Sequence, residues 1–248
     1  MITLDVSLLP NFGNTHFPLT LNNANYVIAI DVLRATTTIA TALEYGVKEV
    51  IPMETVEESL QLYEKLQSNG IFLGGERKNV KPQKFHFGNS PFEYQNTEVS
   101  NKKLIFTTTN GTKLLHSLKE HKRIILGCFR NVSTISMYIQ KSLEDFQTIF
   151  IACAGSNGVF SFDDVLCAGA FIQEFVTLNA TNIQLTDTAK VAKMLYNQTE
   201  NTLIDFVKNT SHGIALIENG FEKDIDFCFE KNVSTIIPLY ENKIVKAL

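Results

Sequence analysis

Short apolar runs rich in β-branched residues alternate along the chain with segments whose hydrophobic positions recur at helical spacing. Tyr26–Ile30 (YVIAI) reads as a strand buried on both faces, and Thr37–Tyr45 as a helix closed by Gly46. Val47–Pro52 is a second strand. Thr55 and Glu58 have the capping-box spacing, in which each side chain satisfies the other's free backbone amide, and they open a helix running to about Gly70. Ile71–Leu73 is a third strand, leading into a Gly-, Lys- and Pro-containing loop that reaches Asn89. Ser90-Pro91-Phe92-Glu93 predicts a short helical turn capped by Ser90, with Glu93 as the acid of its first turn.

The alternation then repeats. Lys103–Thr107, Arg123–Cys128 and Thr148–Cys153 read as strands, each followed by a polar or glycine-bearing turn and a helical stretch. A helix after Ser161 runs to about Leu178, with Ala168, Phe171, Ile172 and Phe175 on one face. Thr186 to Lys231 is mostly helical, broken at Asn209–Gly213 and Gly220, and Ser234–Pro238 with a short tail completes the chain. Strands alternating with helices predict an α/β fold, a largely parallel or mixed sheet with helices on both faces. No linker or low-complexity segment divides the sequence, so residues 1–248 are expected to form one domain or two intimately packed halves.

Composition narrows the partners. With 44% hydrophobic residues, 248 positions suffice for a sizeable core, and a net charge of −4 argues against nucleic-acid binding by bulk electrostatics. No run approaches the roughly 20 apolar residues that span a bilayer. The segment Met1-Ile2-Thr3-Leu4-Asp5 lacks a basic region and an apolar one, so a cytoplasmic location is expected. Cys128, Cys153, Cys167 and Cys228 form no paired spacing and read as buried thiols. Of the 22 basic residues only Arg34, Arg77, Arg123 and Arg130 are arginine. Their placement matters because the planar guanidinium fork suits phosphate, sulfonate and carboxylate.

Three strands end in turns of related chemistry: Asp31-Val32-Leu33-Arg34-Ala35-Thr36-Thr37-Thr38, Thr107-Thr108-Thr109-Asn110-Gly111-Thr112, and Ala152-Cys153-Ala154-Gly155-Ser156-Asn157-Gly158, the last followed by Ser161-Phe162-Asp163-Asp164. Ligands of open α/β sheets bind at the carboxyl ends of strands, and free amides at helix starts favour anions. Arg34, Arg77 and Arg130 also follow strands, which predicts an anion pocket. Asp31, Glu76, Glu93, Asp163 and Asp164 stand among these groups. Acids beside anion donors make sense with a hard cation such as Mg²⁺ between them. Asp31 is the leading ligand candidate and Glu76 the next; Glu93 and Asp164 also suit helix-capping roles. Of five scattered histidines, His86 and His212 are the candidates for proton donation, and Cys153 holds a nucleophile-like position. No P-loop or dinucleotide glycine fingerprint is present.

The runs DVLRATTTI (31–39), GGER (74–77), FGNSPFEY (87–94), TTTNGT (107–112) and CAGSNGVFSFDDVLCAGA (153–170) resemble the 2-phosphosulfolactate phosphatase family in order and spacing. That resemblance implies a family-specific α/β fold and Mg²⁺-dependent hydrolysis of (R)-2-phospho-3-sulfolactate to 3-sulfolactate and phosphate, a step of coenzyme M biosynthesis. It also implies a homodimer, and it places Asp31, Arg34, Glu76, Arg77, Asn110, Gly111, Gly155 and Asp164 in the pocket. Two stretches depart from the family pattern: Lys78-Asn79-Val80-Lys81-Pro82, which is less glycine-rich, and Ile214-Ala215, where an arginine is expected. The expected site is then Asp31, Arg34 and Arg77 as catalytic groups. Thr36, Thr37, Thr109, Asn110, Gly111, Arg130, Gly155 and Ser156 would hold the small anionic phosphorylated substrate. Asp31, Glu76 and Asp164 would hold Mg²⁺. A phosphatase of another small phosphorylated hydroxy acid and a non-catalytic binder of an anionic metabolite are the alternatives.

Overall fold

A computed structural model describes residues 1–9, 19–66, 70–144, 146–178 and 182–248. Its strands are β1 (Ile2–Ser7), β2 (Tyr26–Ile30), β3 (Glu49–Pro52), β4 (Ile71–Gly75), β5 (Lys103–Thr107), β6 (Ile124–Gly127), β7 (Thr148–Cys153), β8 (Ile183–Leu185), β9 (Pro238–Glu241) and β10 (Ile244–Ala247). The helices are α1 (Leu19–Asn22), α2 (Ala35–Glu44), α3 (Val56–Leu66), α4 (Gly111–Ser117), α5 (Val132–Gln140), α6 (Phe162–Leu178), α7 (Asp187–Thr199), α8 (Leu203–Lys208), α9 (Ser211–Glu218) and α10 (Glu222–Cys228). The strands form one mixed sheet in the order β4-β5-β3-β10-β9-β6-β2-β7-β1-β8.

Two parallel blocks, β4-β5-β3 and β6-β2-β7-β1-β8, are joined by the antiparallel hairpin β9–β10. Pairing through the hairpin reverses direction, so a flat sheet would send the carboxyl ends of the two blocks to opposite edges. They nevertheless meet, as the hydrogen bond from Thr38 Oγ1 after β2 to the Asn89 carbonyl beyond β4 shows (2.8 Å). Twist of about 20–25° at each strand step accumulates across the intervening strands and turns the ends together.

Side-chain alternation sorts the core into layers. On β2, Tyr26, Ile28 and Ile30 join the core under α5, α6 and α7, whereas Val27 and Ala29 face a second core. That second core is shared by both blocks, with Leu104 and Phe106 of β5, Ala35 and Ile39 of α2, and Leu114 and Leu115 of α4. Ile71, Leu73 and Ile105 pack under α3 on the far side of the other block. The helices α2 and α4 thus lie between the two blocks, and each begins at a strand end that carries site residues.

The β2, β4, β5, β6 and β7 strands and the Thr55–Glu58 capping box form as the sequence predicts, with reciprocal bonds of 3.2 and 3.1 Å in the box. Three features differ. Strand β1 is unanticipated because its pattern is interrupted by buried Asp5, whose carboxylate is satisfied by the Val6 amide and by Thr20, Thr186 and Thr188 hydroxyls. The hairpin of β9 and β10 is likewise unanticipated; its ladder begins at Pro238 and turns back through Asn242 and Lys243, both at positive φ. Ser90 does not cap its turn with its side chain, and its hydroxyl donates instead to buried Asp224 (2.8 Å). Among the described residues no helix is long and apolar enough to cross a membrane.

Candidate active site

The converging strand ends enclose a cavity of about 1140 Å³. Asp31, Arg34, Glu76, Thr109, Asn110 and Ser156 line it, joined by Lys78, Asn79, Ser161 and His212. An apolar wall of Leu33, Val159, Phe160, Phe162, Phe206 and Ala215 faces these polar groups. Phe160, Phe162 and Phe206 meet edge to face, with centroids 5.0 and 5.2 Å apart.

Asp31 leaves the end of β2, where its Oδ1 accepts the Ala35 amide (3.1 Å) and its carbonyl accepts the Thr36 hydroxyl (2.8 Å). Burial raises its pKa to about 7; Asp163 and Glu76 add to the rise, while the Ala35 amide and His212 oppose it. Gly111 makes this packing feasible, because a Cβ there would stand 2.6 Å from Asp31 Oδ2 and 2.5 Å from the Ala35 Cβ. Glu76, just past β4, is fixed from the neighbouring strand end. Its Oε1 accepts the Thr109 amide (2.7 Å), and its Oε2 accepts the Thr109 hydroxyl (3.1 Å) and the Asn79 amide (2.9 Å).

The paired acids of α6 take different parts. Asp164 is a strut: Oδ1 accepts the Val32 amide (2.9 Å) and Oδ2 the Gly155 amide (2.8 Å), tying the turn after β2 to the turn after β7. It lies behind the cavity wall, and burial with the nearby Asp163 and Asp31 charges pushes its pKa far up. That placement corrects the expectation of Asp164 as a metal ligand: unlike Asp31 and Glu76 it does not line the cavity, and it spans two turns in the core. Asp163 accepts a hydrogen bond from Ser161 and stands 3.4 Å from His212 Nδ1. Burial opposes ionisation of both, yet their mutual attraction holds Asp163 below the usual carboxylate range and His212 above the usual imidazole range. Nδ1 is thereby directed at Asp163.

Only one predicted arginine reaches the cavity. Arg34 is 2% exposed; its Nη1 donates to Asp224 Oδ2 (2.6 Å), and its guanidinium carbon sits 3.9 Å from the Phe221 ring centroid. Arg77 turns away, donating to the Glu76 carbonyl, the Glu54 carbonyl and the Thr107 hydroxyl, each at 2.7 Å. Arg130 stacks on Phe227 at 3.8 Å and pairs with Glu230, outside the cavity wall. The expected roles of Arg77 in catalysis and Arg130 in binding give way to structural ones, since both guanidinium groups are taken up by the protein itself.

Thr36 and Thr37 are also turned inward, donating to the carbonyls of Asp31 (2.8 Å) and Val32 (2.9 Å). Gly111 and Gly155 shape the turns from behind, Gly155 at φ +62°. Glu93 accepts the Gly88 amide (2.7 Å), and His86 Nδ1 accepts the Leu73 amide (2.9 Å) away from the cavity. Cys153 is buried with its thiol pKa pushed far up, which leaves no nucleophilic thiolate. His16 lies outside the described residues. Sequence reasoning missed the aromatic wall, Asn89, Lys78, Asp205 and the Asp224–Ser90 support; the bond from Ser90 to Asp224 crosses 134 positions of chain, a spacing that carries no local signal.

Among the described residues no three His, Cys, Asp or Glu side chains gather as a metal cluster. The donor set nevertheless suits Mg²⁺, which binds through one or two carboxylates and completes its shell with water and substrate oxygens. Asp31 and Glu76 share the cavity, and Asp31, pushed upward beside other acids, is a carboxylate whose ionised form a cation would favour.

The sequence profile of the 2-phosphosulpholactate phosphatase family matches residues 15–243. Among curated relatives, a probable 2-phosphosulfolactate phosphatase of Caldanaerobacter subterraneus subsp. tengcongensis is 42% identical over 220 residues, covering 89% of each chain. Those of Clostridium beijerinckii and Thermotoga petrophila are each 40% identical, covering 87% and 88% of this chain and 88% and 89% of their own. With the profile spanning nearly the whole fold that builds the cavity, the chain belongs to the 2-phosphosulpholactate phosphatase family.

Proposed function

We propose that the protein is a phosphoric monoester hydrolase that cleaves (R)-2-phospho-3-sulfolactate to 3-sulfolactate and phosphate, the reaction type of coenzyme M biosynthesis, with Mg²⁺ held by Asp31 and Glu76. The observation that carries this reading is the convergence of Asp31, Glu76, Arg34 and His212 on one cavity from three separate chain segments. Bound Mg²⁺ supplies positive charge against the phosphoryl oxygens. Arg34 binds the phosphoryl group, and the Thr109–Asn110 turn shapes the floor beneath it. Water provides the new P–O bond as the ester oxygen leaves, and its protons stay on the released phosphate. That alkoxide needs a proton, and His212 gives it; its hydrogen-bond distance from Asp163, which favours the charged imidazole, supports that role. Positioned donors matching charge in the transferring group are the main source of rate in such reactions.

The test is phosphate release from 2-phosphosulfolactate with and without EDTA, on wild type and Asp31→Asn. Loss of turnover in EDTA and in the variant is the expected result; unchanged turnover in Asp31→Asn would sink the metal assignment. One observation favours a second reading. The cavity is large, has an aromatic wall and contains one arginine, which suits a bulkier and less charged phosphorylated hydroxy acid than a three-carbon sulfonate. A panel of such esters separates the two by their kcat/KM.

A further inference from the structure

Arg34 is held by groups from distant parts of the chain. Asp224 of α10 is 3% exposed; its Oδ2 accepts from Arg34 Nη1 at 2.6 Å, and its Oδ1 accepts from the Ser90 hydroxyl at 2.8 Å. Both oxygens are therefore committed, and the carboxylate cannot swing without breaking one of these bonds. Phe221, one residue before α10, lies against the guanidinium plane at 3.9 Å. The fork is thus fixed at one nitrogen and along one face. Its other terminal nitrogen, Nη2, is buried and has no hydrogen-bond partner among the described residues, although Arg34 belongs to the cavity wall. A buried charged donor with no acceptor is costly, and sites that tolerate one commonly reserve it for a ligand.

We infer that Asp224, steadied by Ser90 and Phe221, is a positioning residue that holds Arg34 so that Nη2 donates to the phosphoryl group. This inference rests on the proposed phosphatase reading and deepens it. The C-terminal helix α10 contributes no group to the reacting atoms, yet it fixes the donor on which phosphate binding depends. Hydrogen-bond geometry toward Nη1, rather than net charge, is what Asp224 supplies. Asn at that position retains one oxygen in the same place, and Ala retains none.

Calorimetric binding of inorganic phosphate in the presence of Mg²⁺ tests this without requiring turnover, on wild type, Arg34→Ala, Asp224→Asn, Asp224→Ala and the double alanine variant. Arg34→Ala should weaken binding by at least ~10-fold, and Asp224→Ala by about 10-fold, the size of one lost hydrogen bond. Asp224→Asn should stay within ~3-fold of wild type, and the double variant should bind no more weakly than Arg34→Ala. Should Asp224→Ala fail to fold, Phe221→Leu removes the stacked ring while sparing the ion pair, with about 3-fold weaker binding expected. Wild-type binding in Asp224→Ala, or in Phe221→Leu if that variant must replace it, would overturn the inference, as would an additive double variant or a wild type that binds no phosphate. If phosphate binds with this pattern while 2-phosphosulfolactate is not hydrolysed, the substrate assignment fails and the role of Asp224 stands.

Discussion

Arg34 and Arg130 occupy nearly equivalent places. They follow the neighbouring strands β2 and β6, each stacks on a phenylalanine of the C-terminal segment (3.9 Å to Phe221, 3.8 Å to Phe227), and each pairs with an acid from that segment. The surroundings separate them. The acid facing Arg34 is Asp224, with its side chain 4% exposed; Arg130 faces Glu230, 51% exposed, and reaches toward Glu44 as well. Arg34, a residue of the cavity wall, keeps a buried nitrogen without a partner, whereas Arg130 donates to Glu230 and the Phe227 carbonyl beyond the wall. The same residue type, in the same kind of turn and against the same kind of ring, keeps an unpartnered donor in one case and is a staple in the other. What decides is whether the neighbouring chain uses up the guanidinium fork.

Alanine at each position is the sharpest way to break that comparison. Arg34→Ala should lower kcat for phosphate release by at least ~100-fold, the cost of removing one preorganised donor to a developing charge. Arg130→Ala should keep kcat within ~3-fold and lose about 1–2 kcal/mol of stability, read from urea unfolding. The next effect concerns Asp31. Gly111→Ala would drive a methyl group into its carboxylate at 2.6 Å, and with Asp31 in its proposed role kcat should fall by roughly 10-fold, the kind of penalty a misplaced group carries.

Asp164 offers the same contrast among carboxylates as Arg130 does among arginines. Asp164→Asn sets an amide N–H against one of the two backbone donors it now serves, at Val32 and Gly155, and should cost about 1–3 kcal/mol in urea unfolding. The smallest expected effect lies farthest from the cavity. Lys103 hydrogen-bonds Glu49 at 2.7 Å and holds its pKa below the ordinary value, with Lys246 assisting and burial opposing. A depressed carboxylate stabilises the fold above its unfolded pKa and ceases to do so as pH falls through the folded value. Glu49→Gln should therefore cost up to about 1 kcal/mol at pH 7 and almost nothing well below pH 4.

The alternation of buried strands and helices was legible because YVIAI and its counterparts carry their period in consecutive residues. So was the gathering of polar groups at the turns after β2, β5 and β7, where Asp31, Thr109, Asn110 and Ser156 line one cavity. The β1 strand was not legible, because the acceptor needs of Asp5 are met mainly by hydroxyls from Thr20, Thr186 and Thr188. Nor was the aromatic wall. Phe162 and Phe206 stand on separate helices, and only the fold brings their centroids to 5.2 Å.

By itself, the sequence determined the α/β alternation and the polar turns at strand ends, among them Asp31, Arg34 and Glu76, which line the cavity. These follow from local periodicity and from the residue types a turn can carry. Tertiary structure alone decided which arginine is left with a free donor, which acid becomes a strut, and how two oppositely directed blocks bring their ends to one cavity. Those outcomes depend on partners far along the chain, such as Asp224 for Arg34, and on twist summed over many strands, neither of which leaves a mark on neighbouring residues.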